Sequence, residues 1–247
     1  SMAEYPRLTI PFEGAPARAV RVPVDVDARE VLAALDLPPY RGMIVIHGGA
    51  GAMEPSLIDA VARFFALGLA PFAEQHRILI ADGGTRAGTM AAMGAARQAL
   101  KGTFPLVGVA PIGAVSYPGG RAPSDDLAPL DAGHSHFVLI ESESFGTESS
   151  LLVDLLRAAD VPGVALVVNG GPIVREEVAA HAIRGNPVIA VAGSGRAADE
   201  LIDPHSALRG ELPGINLAIA DLEQPSSLTD ALERLLFPAS QRSPDVP

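Results

Sequence analysis

The chain contains no cysteine and no tryptophan, and aromatic residues make up only 4% of its 247 residues. Without cysteine it can form no disulfide, no thiolate metal site and no cysteine nucleophile. With so few aromatic side chains, the core must be built from alanine, valine, isoleucine and leucine, as is usual for buried parallel strands. The length suits one α/β domain with a sizeable core.

Positive charge is also scarce, since 18 lysines and arginines stand against 29 acidic residues, for a formal net charge of −11. This charge repels polyanions, so we expect neither nucleic acid nor a membrane surface as a partner. A small phosphate ligand remains compatible, because backbone N–H groups at helix N-termini can bind it. The most apolar stretch, residues 57–73, is interrupted by Asp59 and Arg63, which disfavours a membrane span. The lack of cysteine and of a secretion signal predicts a cytoplasmic protein.

Seven short runs rich in valine and isoleucine recur along the chain, with starts about 23 to 35 residues apart. They are Met43–Ile46, Ile78–Ala81, Leu106–Ala110, Phe137–Ile140, Ala165–Val168, Val188–Ala192 and Leu217–Ala220. Such runs are typical of strands buried on both faces, and helical patterns fill most of the gaps between them. We therefore predict an α/β fold with a Rossmann-like open, mostly parallel sheet of about seven strands and helices on both faces.

The first 36 residues differ from this pattern. Two extended stretches, Leu8–Phe12 and Ala19–Val24, flank a Gly-Ala-Pro turn and precede a short helical segment. We predict three parts: an N-terminal hairpin and short helix added to the sheet edge over 1–36, the Rossmann-like ligand-binding domain over 37–237, and a disordered, polar tail over 238–247. The long connection 111–135 shows no helical period, which is typical of a lid or a binding loop.

Polar, mostly glycine-rich turns follow five of the predicted strands, and each turn opens a helix. They are His47–Gly51, Asp82–Met90, Glu141–Glu148, Asn169–Pro172 and Gly193–Arg196. The carboxyl ends of parallel strands share one edge of the sheet, where open α/β sheets bind ligands. A phosphate can approach glycine closely and meet several N–H donors there. We predict an anion-binding edge; the alternative is that the glycines only make tight turns.

Two kinds of charged residue stand at this edge. Arg196 can pair bidentately with a phosphate, or it is a solvated arginine or a partner of Asp199 or Glu200. Glu143 and Glu148 could bind ribose hydroxyls or a Mg²⁺ ion that arrives with the ligand, act as general acid or base, or form a solvated rim. The predicted ligand-binding residues are Gly48, Gly49, Gly83, Gly84, Thr85, Gly88, Thr89, Glu143, Gly146, Thr147, Glu148, Asn169, Gly170, Gly171, Gly193, Ser194, Gly195 and Arg196.

Several common sites are disfavoured by the sequence. Gly49-Ala50-Gly51 begins a dinucleotide fingerprint, but Glu54 stands at the third glycine position, where it would face a pyrophosphate. A P-loop is missing, and Ser194 lies one residue out of the G-x-S-x-G pattern. His134 and His136 share a strand face, but no third ligand stands at metal spacing. We therefore predict no metal site and no required cofactor.

The segment Gly83–Met90 resembles the GGT-x-x-G-x-M segment of the SLOG superfamily. It is most similar to the prokaryotic LSDAT branch, which is named for its similarity to the N-terminal cytosolic region of TRPM channels. Three further blocks resemble that region in the same order: His134–Glu148, Asn169–Val178 and Pro187–Asp199. The resemblance covers roughly residues 42–203. It implies a Rossmann-like domain that senses or processes nucleotide-derived ligands such as ADP-ribose, with Arg196 on a phosphate.

The chain departs from the channels at Phe145 and Leu152, which replace a tyrosine and an arginine and so remove one basic contact, and at Ala87, which replaces a threonine. The LOG-type phosphoribohydrolases of the same superfamily carry PGG-x-GT-x-x-E; here Gly146-Thr147 matches the GT, but Glu148 follows directly. The resemblance thus favours a binder or sensor of an ADP-ribose-like small molecule. The alternative is an N-glycoside hydrolase acting on a nucleotide, with Glu148 as the catalytic residue. A homodimer is the default expectation for such a domain.

Overall fold

The computed structural model describes residues 4–238. Its strands are β1 Arg7–Ile10, β2 Ala17–Val22, β3 Gly42–Gly48, β4 Ile78–Asp82, β5 Leu106–Pro111, β6 Val115–Ser116, β7 Ala128–Pro129, β8 His136–Ile140, β9 Gly163–Val168, β10 Val188–Ala192 and β11 Leu217–Asp221. Its α-helices are α1 Ala28–Ala34, α2 Pro55–Phe64, α3 Ala70–His76, α4 Gly88–Leu100, α5 Ser149–Ala158, α6 Pro172–Arg184, α7 Arg196–Ile202, α8 Ala207–Glu211 and α9 Pro225–Leu236. Nearly all of the predicted tail, residues 239–247, lies outside the described residues.

Within residues 4–238, nine strands form one sheet in the order β1-β2-β8-β5-β4-β3-β9-β10-β11. Neighbouring strands run parallel, except for the antiparallel pair β1 and β2. The chain moves outward from β3 through β4, β5 and β8, then returns to the other side of β3 and continues through β9, β10 and β11. The strand order therefore reverses between β3 and β9, which is where such sheets hold their ligands. The predicted fold class is confirmed.

Helices cover both faces of the sheet. Because successive side chains of a strand point to opposite faces, Val45 packs in the layer of α1, α5, α6 and α7, and its neighbour Ile44 packs in the layer of α2, α3, α4 and α9. Both side chains are fully buried. Burying an aliphatic side chain of this size contributes roughly 1.5–3 kcal/mol, so the two apolar layers stabilise the sheet from both sides. The short, continuous apolar runs of the sequence are the visible sign of this double burial.

The predicted N-terminal hairpin is also confirmed, and it extends the main sheet because β2 pairs in parallel with β8. Its strands end before the predicted Phe12 and Val24, because Pro11 and Pro23 have no backbone N–H to continue the pairing. Phe12 leaves the strand but packs against Phe137, with ring centroids 5.9 Å apart. The division between two parts at residue 37 stays a prediction.

A π-helical turn, Phe65–Leu69, joins α2 to α3, so Pro55–His76 is one long helix. A Cβ atom at Gly68 would lie 3.1 Å from the carbonyl oxygen of Pro225, so the start of α9 approaches this turn closely. By length and composition this is the one helix among residues 4–238 that could cross a membrane. Nevertheless its side chains Phe64 and Phe65 are fully buried in the protein core, as in an ordinary core helix.

The long connection 111–135 contains a 3₁₀ turn and the two-residue strands β6 and β7, which pair with each other. Its last part is bound to the turn after β4. Arg86 N donates to Pro129 O at 2.8 Å, and Asp131 N donates to Gly84 O at 2.8 Å. The connection therefore lies at the carboxyl edge of the sheet.

Candidate functional site

A pocket of about 360 Å³ opens at the carboxyl ends of β3 and β4 and is closed on the other side by the starts of α6 and α7. It lies at the predicted edge, beside the reversal between β3 and β9. The predicted residues that line it are Gly48, Gly49, Gly83, Thr85, Glu148, Gly171 and Arg196. The predicted residues outside its lining are Gly84, Gly88, Thr89, Glu143, Gly146, Thr147, Asn169, Gly170, Gly193, Ser194 and Gly195.

The turn after β3 and the start of α4 are packed too closely for side chains at their glycines. Thr89 donates its backbone N–H and its hydroxyl to Gly49 O, at 3.0 and 3.1 Å. A Cβ atom at Gly48 would lie 2.4 Å from Oγ1 of Thr89. Gly88 has φ +49°, and a Cβ atom there would lie 2.2 Å from Gly49 O. Gly88 and Thr89 therefore hold the turn in place, and Gly48 and Gly49 form the pocket wall.

The glycines before α7 use their N–H groups inside the protein. Gly193 N donates to Oδ1 of Asp199 and Gly195 N to Oδ2 of Asp199, each at 2.8 Å. Ser194 is fully buried and accepts the backbone N–H of Asn169 through its hydroxyl at 2.9 Å. The carboxylate of Asp199 thus occupies the two amides that the sequence analysis assigned to a phosphate.

Arg196 is the cation of the pocket. It begins α7 with φ +49° and is exposed to solvent. Its Nη2 atom lies 3.0 Å from the position of a Cβ atom on Gly171, so the guanidinium covers the glycine turn that precedes α6. Glu200 pairs with Arg175 instead, and Asp199 accepts the amides described above. Among the described residues Arg196 has no ion pair, so its guanidinium is available to an anion.

Two carboxylates also line the pocket, Glu148 at 7% exposure and Glu177 at 5%. Burial raises the pKa of the Glu148 carboxyl; backbone hydrogen bonds, including that from Gly146 N at 2.8 Å, oppose the shift, and the charge of Glu177 adds to it. Oε1 of Glu177 lies 3.2 Å from Nδ1 of His47, another pocket residue. The pocket therefore holds one acid with a raised pKa and one that faces an imidazole.

The other predicted acid does not reach the pocket. Glu143 is exposed, and its carboxylate lies beside Gly113, where a Cβ atom would be 2.5 Å from Oε2. Its neighbour Glu141 pairs at the surface with Arg21 at 3.1 Å. Of the two acids that were predicted to contact a ribose, only Glu148 lines the pocket.

The sequence analysis missed His47 and Glu177. A signal for Glu177 was present, because Val174, Glu177, Val178 and His181 recur at the spacing of one helix face, and that face is buried. An acid and a histidine at positions i and i+4 on an apolar face require partners inside the protein. His47 gave no such signal, since it is a single polar residue near the end of the apolar strand β3.

One wall of the pocket is apolar. Phe145 and Ile173 lie at its mouth with 44% and 39% of their surface exposed, and Met90 and Leu152 lie deeper. Exposed large apolar side chains beside a concave polar site are typical of ligand pockets. The pocket can therefore accept a flat apolar group beside its charged groups.

A buried ion cluster holds the wall formed by the turn after β4. His134 contacts Asp82 through Nε2 at 2.6 Å and Asp131 through Nδ1 at 2.9 Å, and Asp82 accepts Gly84 N at 2.8 Å. Burial by itself would lower the pKa of His134, but the charges and hydrogen bonds of the two aspartates outweigh it and raise the pKa to about 9. The protonated ring of His134 donates from both nitrogens. No group of three or more histidine, aspartate or glutamate side chains within residues 4–238 is arranged so that it could hold a metal ion.

The family model described as "SLOG in TRPM, prokaryote", LSDAT, matches residues 41–233. The chain belongs to this family. The resemblance read from the motifs is therefore confirmed, and the pocket described above is that of a prokaryotic SLOG domain.

Two curated relatives are eukaryotic channels. The SLOG domain is similar to transient receptor potential cation channel subfamily M member 2 of Rattus norvegicus and of Mus musculus, each 26% identical over 231 residues. These alignments cover 78% of this chain and 15% of the channels, so the chain spans a small part of the length of these relatives.

Two solved structures share the fold. One is the molybdenum cofactor binding protein from the phototrophic bacterium Rippkaea orientalis, with 13% identity, 79% of this chain and 98% of that chain covered, and a TM-score of 0.54. The other is a target of the Northeast Structural Genomics Consortium, with 18% identity, 78% and 99% coverage, and a TM-score of 0.53. At such identities the likeness extends to the Rossmann-like fold alone.

Proposed function

We propose that this SLOG domain binds a nucleotide-derived small molecule, of which ADP-ribose is the type, in the pocket at the β3–β9 reversal. The observation that carries the proposal is the guanidinium of Arg196, which has no ion pair within residues 4–238, at a pocket that also contains two buried acids and an apolar wall. A phosphate pairs with Arg196 above Gly171. The ribose hydroxyls donate to Glu148 and Glu177, and the base packs on Phe145 and Ile173.

The membership of the chain in the SLOG family supports this class of ligand. Leu152 in the pocket wall stands where the resemblance to the channels places a second arginine, so Arg196 is left as the main basic contact. Removal of this one side chain should therefore abolish most of the affinity for the phosphates. A charge-assisted hydrogen bond is worth about 1.5–3 kcal/mol, which corresponds to a loss of about 10- to 150-fold in affinity.

The test is calorimetric titration and thermal shift with ADP-ribose, cyclic ADP-ribose, NAD and AMP. Arg196→Ala should weaken binding by the factor given above. Arg63→Ala is the matched control, because Arg63 is exposed on α2 and away from the pocket, and its removal changes the net charge equally. Equal affinities of the two variants would refute the role of Arg196, and no binding of any of the four compounds to the unmodified protein would refute the proposed function.

A second function, cleavage of the N-glycosidic bond of a nucleotide, is favoured by the raised pKa of the Glu148 carboxyl. A protonated acid in a pocket can act as a general acid toward a leaving base. Chromatography of the same mixtures for released base tests it. Base release that disappears in Glu148→Gln, with binding retained, would establish hydrolysis; intact ligand after long incubation would leave binding alone.

A further inference from the structure

A line of polar side chains, buried except for Arg157 on α5, runs to the floor of the pocket. Nε of Arg157 donates to Oδ1 of Asn186 at 2.6 Å, and Nδ2 of Asn186 lies 2.9 Å from Nδ1 of His181. Nε2 of His181 lies 2.7 Å from Nε2 of His47, and Nδ1 of His47 lies 3.2 Å from Oε1 of Glu177. Asn186, His181 and His47 are each at most 3% exposed, so water does not compete for these contacts.

Arg157 fixes the direction of every hydrogen bond in this line. A guanidinium can only donate, so Asn186 must turn its carbonyl oxygen toward Arg157 and its NH₂ group toward His181. Nδ1 of His181 then accepts, and the proton of that ring lies on Nε2. Burial lowers the pKa of His181 to about 2, and the charge of Arg184 acts in the same direction, so this ring is neutral at pH 7.

The direction continues to the pocket. Since His181 donates from Nε2, the Nε2 atom of His47 must accept, and the proton of His47 lies on Nδ1. This N–H is within ion-pair distance of Glu177 but does not point along the line to its oxygen, so it makes no aligned hydrogen bond with any residue in the described part of the chain. Both side chains line the pocket. A buried donor without a partner and a buried acceptor thus stand side by side at its floor.

We propose that His47 and Glu177 form a hydroxyl-binding pair and that Arg157, Asn186 and His181 are positioning residues that hold the proton of His47 on Nδ1. One ligand hydroxyl accepts from His47 and donates to Glu177 at the same time. A hydroxyl both accepts and donates, so it can satisfy a donor and an acceptor 3.2 Å apart, whereas a phosphate oxygen would satisfy His47 but be repelled by the carboxylate. This assignment rests on the proposed function, because it takes the hydroxyl to be that of a ribose.

The first measurement needs no ligand. Two-dimensional ¹⁵N NMR of the imidazoles in the unmodified protein should show His47 protonated on Nδ1 and His181 on Nε2. The opposite tautomers, or a His47 that carries both protons at pH 7, would overturn the positioning proposal whether or not any ligand binds.

Asn186→Asp tests the positioning residues from outside the pocket with a side chain of the same shape. The carboxylate would accept from Arg157 and also from Nδ1 of His181, so both rings should change tautomer and His47 should lose the proton that faces the pocket. Asn216→Asp, at an exposed position before β11, is the control with the same change of charge. The affinity for ADP-ribose should fall about tenfold as the proton of His47 moves to Nε2, and a proton that stays on Nδ1 in this variant would overturn the positioning proposal. A tautomer and an affinity that change independently would overturn the proposal.

The second measurement separates the hydroxyl pair from the phosphate contact by titration with ADP-ribose and with inorganic pyrophosphate. Glu177→Gln should weaken ADP-ribose about tenfold and leave pyrophosphate unchanged or tighter, because it removes a negative charge from the pocket. Arg196→Ala should weaken both ligands. Equal weakening of both ligands by Glu177→Gln would overturn the hydroxyl assignment while the phosphate contact remains. If the unmodified protein binds neither ligand, the proposed function and the hydroxyl assignment both fail. The tautomers of His47 and His181 then still show whether the positioning residues hold the proton of His47 on Nδ1.

Discussion

The stability of the SLOG domain should fall between pH 6.5 and 9 because of one buried histidine. His134 is held between Asp82 and Asp131, and its pKa rises from the ordinary 6.5 to about 9 in the folded protein. Between these two pH values the folded state binds a proton that the unfolded state has released. The stabilisation is therefore complete below pH 6.5 and is lost as the pH rises through 9.

The size of the effect follows from the two pKa values. Each unit of pKa corresponds to about 1.4 kcal/mol, so a rise from 6.5 to about 9 contributes about 3 kcal/mol. Urea unfolding, monitored by circular dichroism because the chain has no tryptophan, should show this loss between pH 6.5 and 9.5. In His134→Gln the side chain carries no charge, so the free energy of unfolding should no longer fall with pH over this interval.

His136→Gln is the matched control. Burial, with the charges of Arg18 and Arg97, lowers the pKa of His136 to about 4, so this residue affects stability only below pH 6.5. The slope above that pH should remain. If His134→Gln does not fold, NMR titration of His134 in the unmodified protein is the alternative test of its raised pKa, and the midpoint should lie near pH 9. A midpoint below 7, or equal slopes in both variants, would refute the reasoning.

Two substitution pairs test how the turns and the core are built. Gly88→Ala should lower the free energy of unfolding by about 2 kcal/mol or more, because the residue has φ +49° and its Cβ atom would lie 2.2 Å from Gly49 O; Gly14→Ala, where the Cβ atom meets open space, should be neutral in the same urea titrations. Phe64→Ala should cost about 3–5 kcal/mol because the ring is fully buried in the core. Phe145→Ala removes a ring of the same size that is 44% exposed at the pocket mouth, so it should cost below about 1 kcal/mol while weakening ADP-ribose. A Tm of Gly88→Ala equal to that of Gly14→Ala, or equal losses for the two phenylalanines, would contradict these assignments.

The sheet could be predicted from the sequence because it is buried on both faces. Such strands consist of apolar residues throughout, as in β3 and β9, and the glycine and proline residues around them mark their ends. The π-helical turn at Phe65–Leu69 could not be predicted, since it accompanies the close approach of Gly68 to Pro225, more than 150 residues away in sequence. The five-residue α8 was missed because it is too short to show a helical period.

The position of the site could be predicted as well, since the polar turns of parallel strands must share one edge. The sequence could not show which of their N–H groups are free. Gly193 and Gly195 lie in a glycine-rich turn of the kind that binds phosphate. Their backbone N–H groups nevertheless donate to the carboxylate of Asp199, in the first turn of the following helix. Nor could the sequence show that the side chain of Glu177 lines the pocket, because its contact there, His47, is 130 residues earlier in the chain.

On the proposed function, these contacts would give the phosphate and the hydroxyls of the ligand different partners in a chain with a net charge of −11. With the amides before α7 taken by Asp199, the attraction for an anion must come from the guanidinium of Arg196 and the remaining glycine turns. A bare anion would gain that contact but meet the repulsion of the Glu177 carboxylate, and a neutral nucleoside would satisfy the acids but leave Arg196 unpaired. The proposed ligand, which carries phosphate on one part and hydroxyls on the next, would satisfy both, so on this proposal we expect the acids of the pocket to disfavour simple anions.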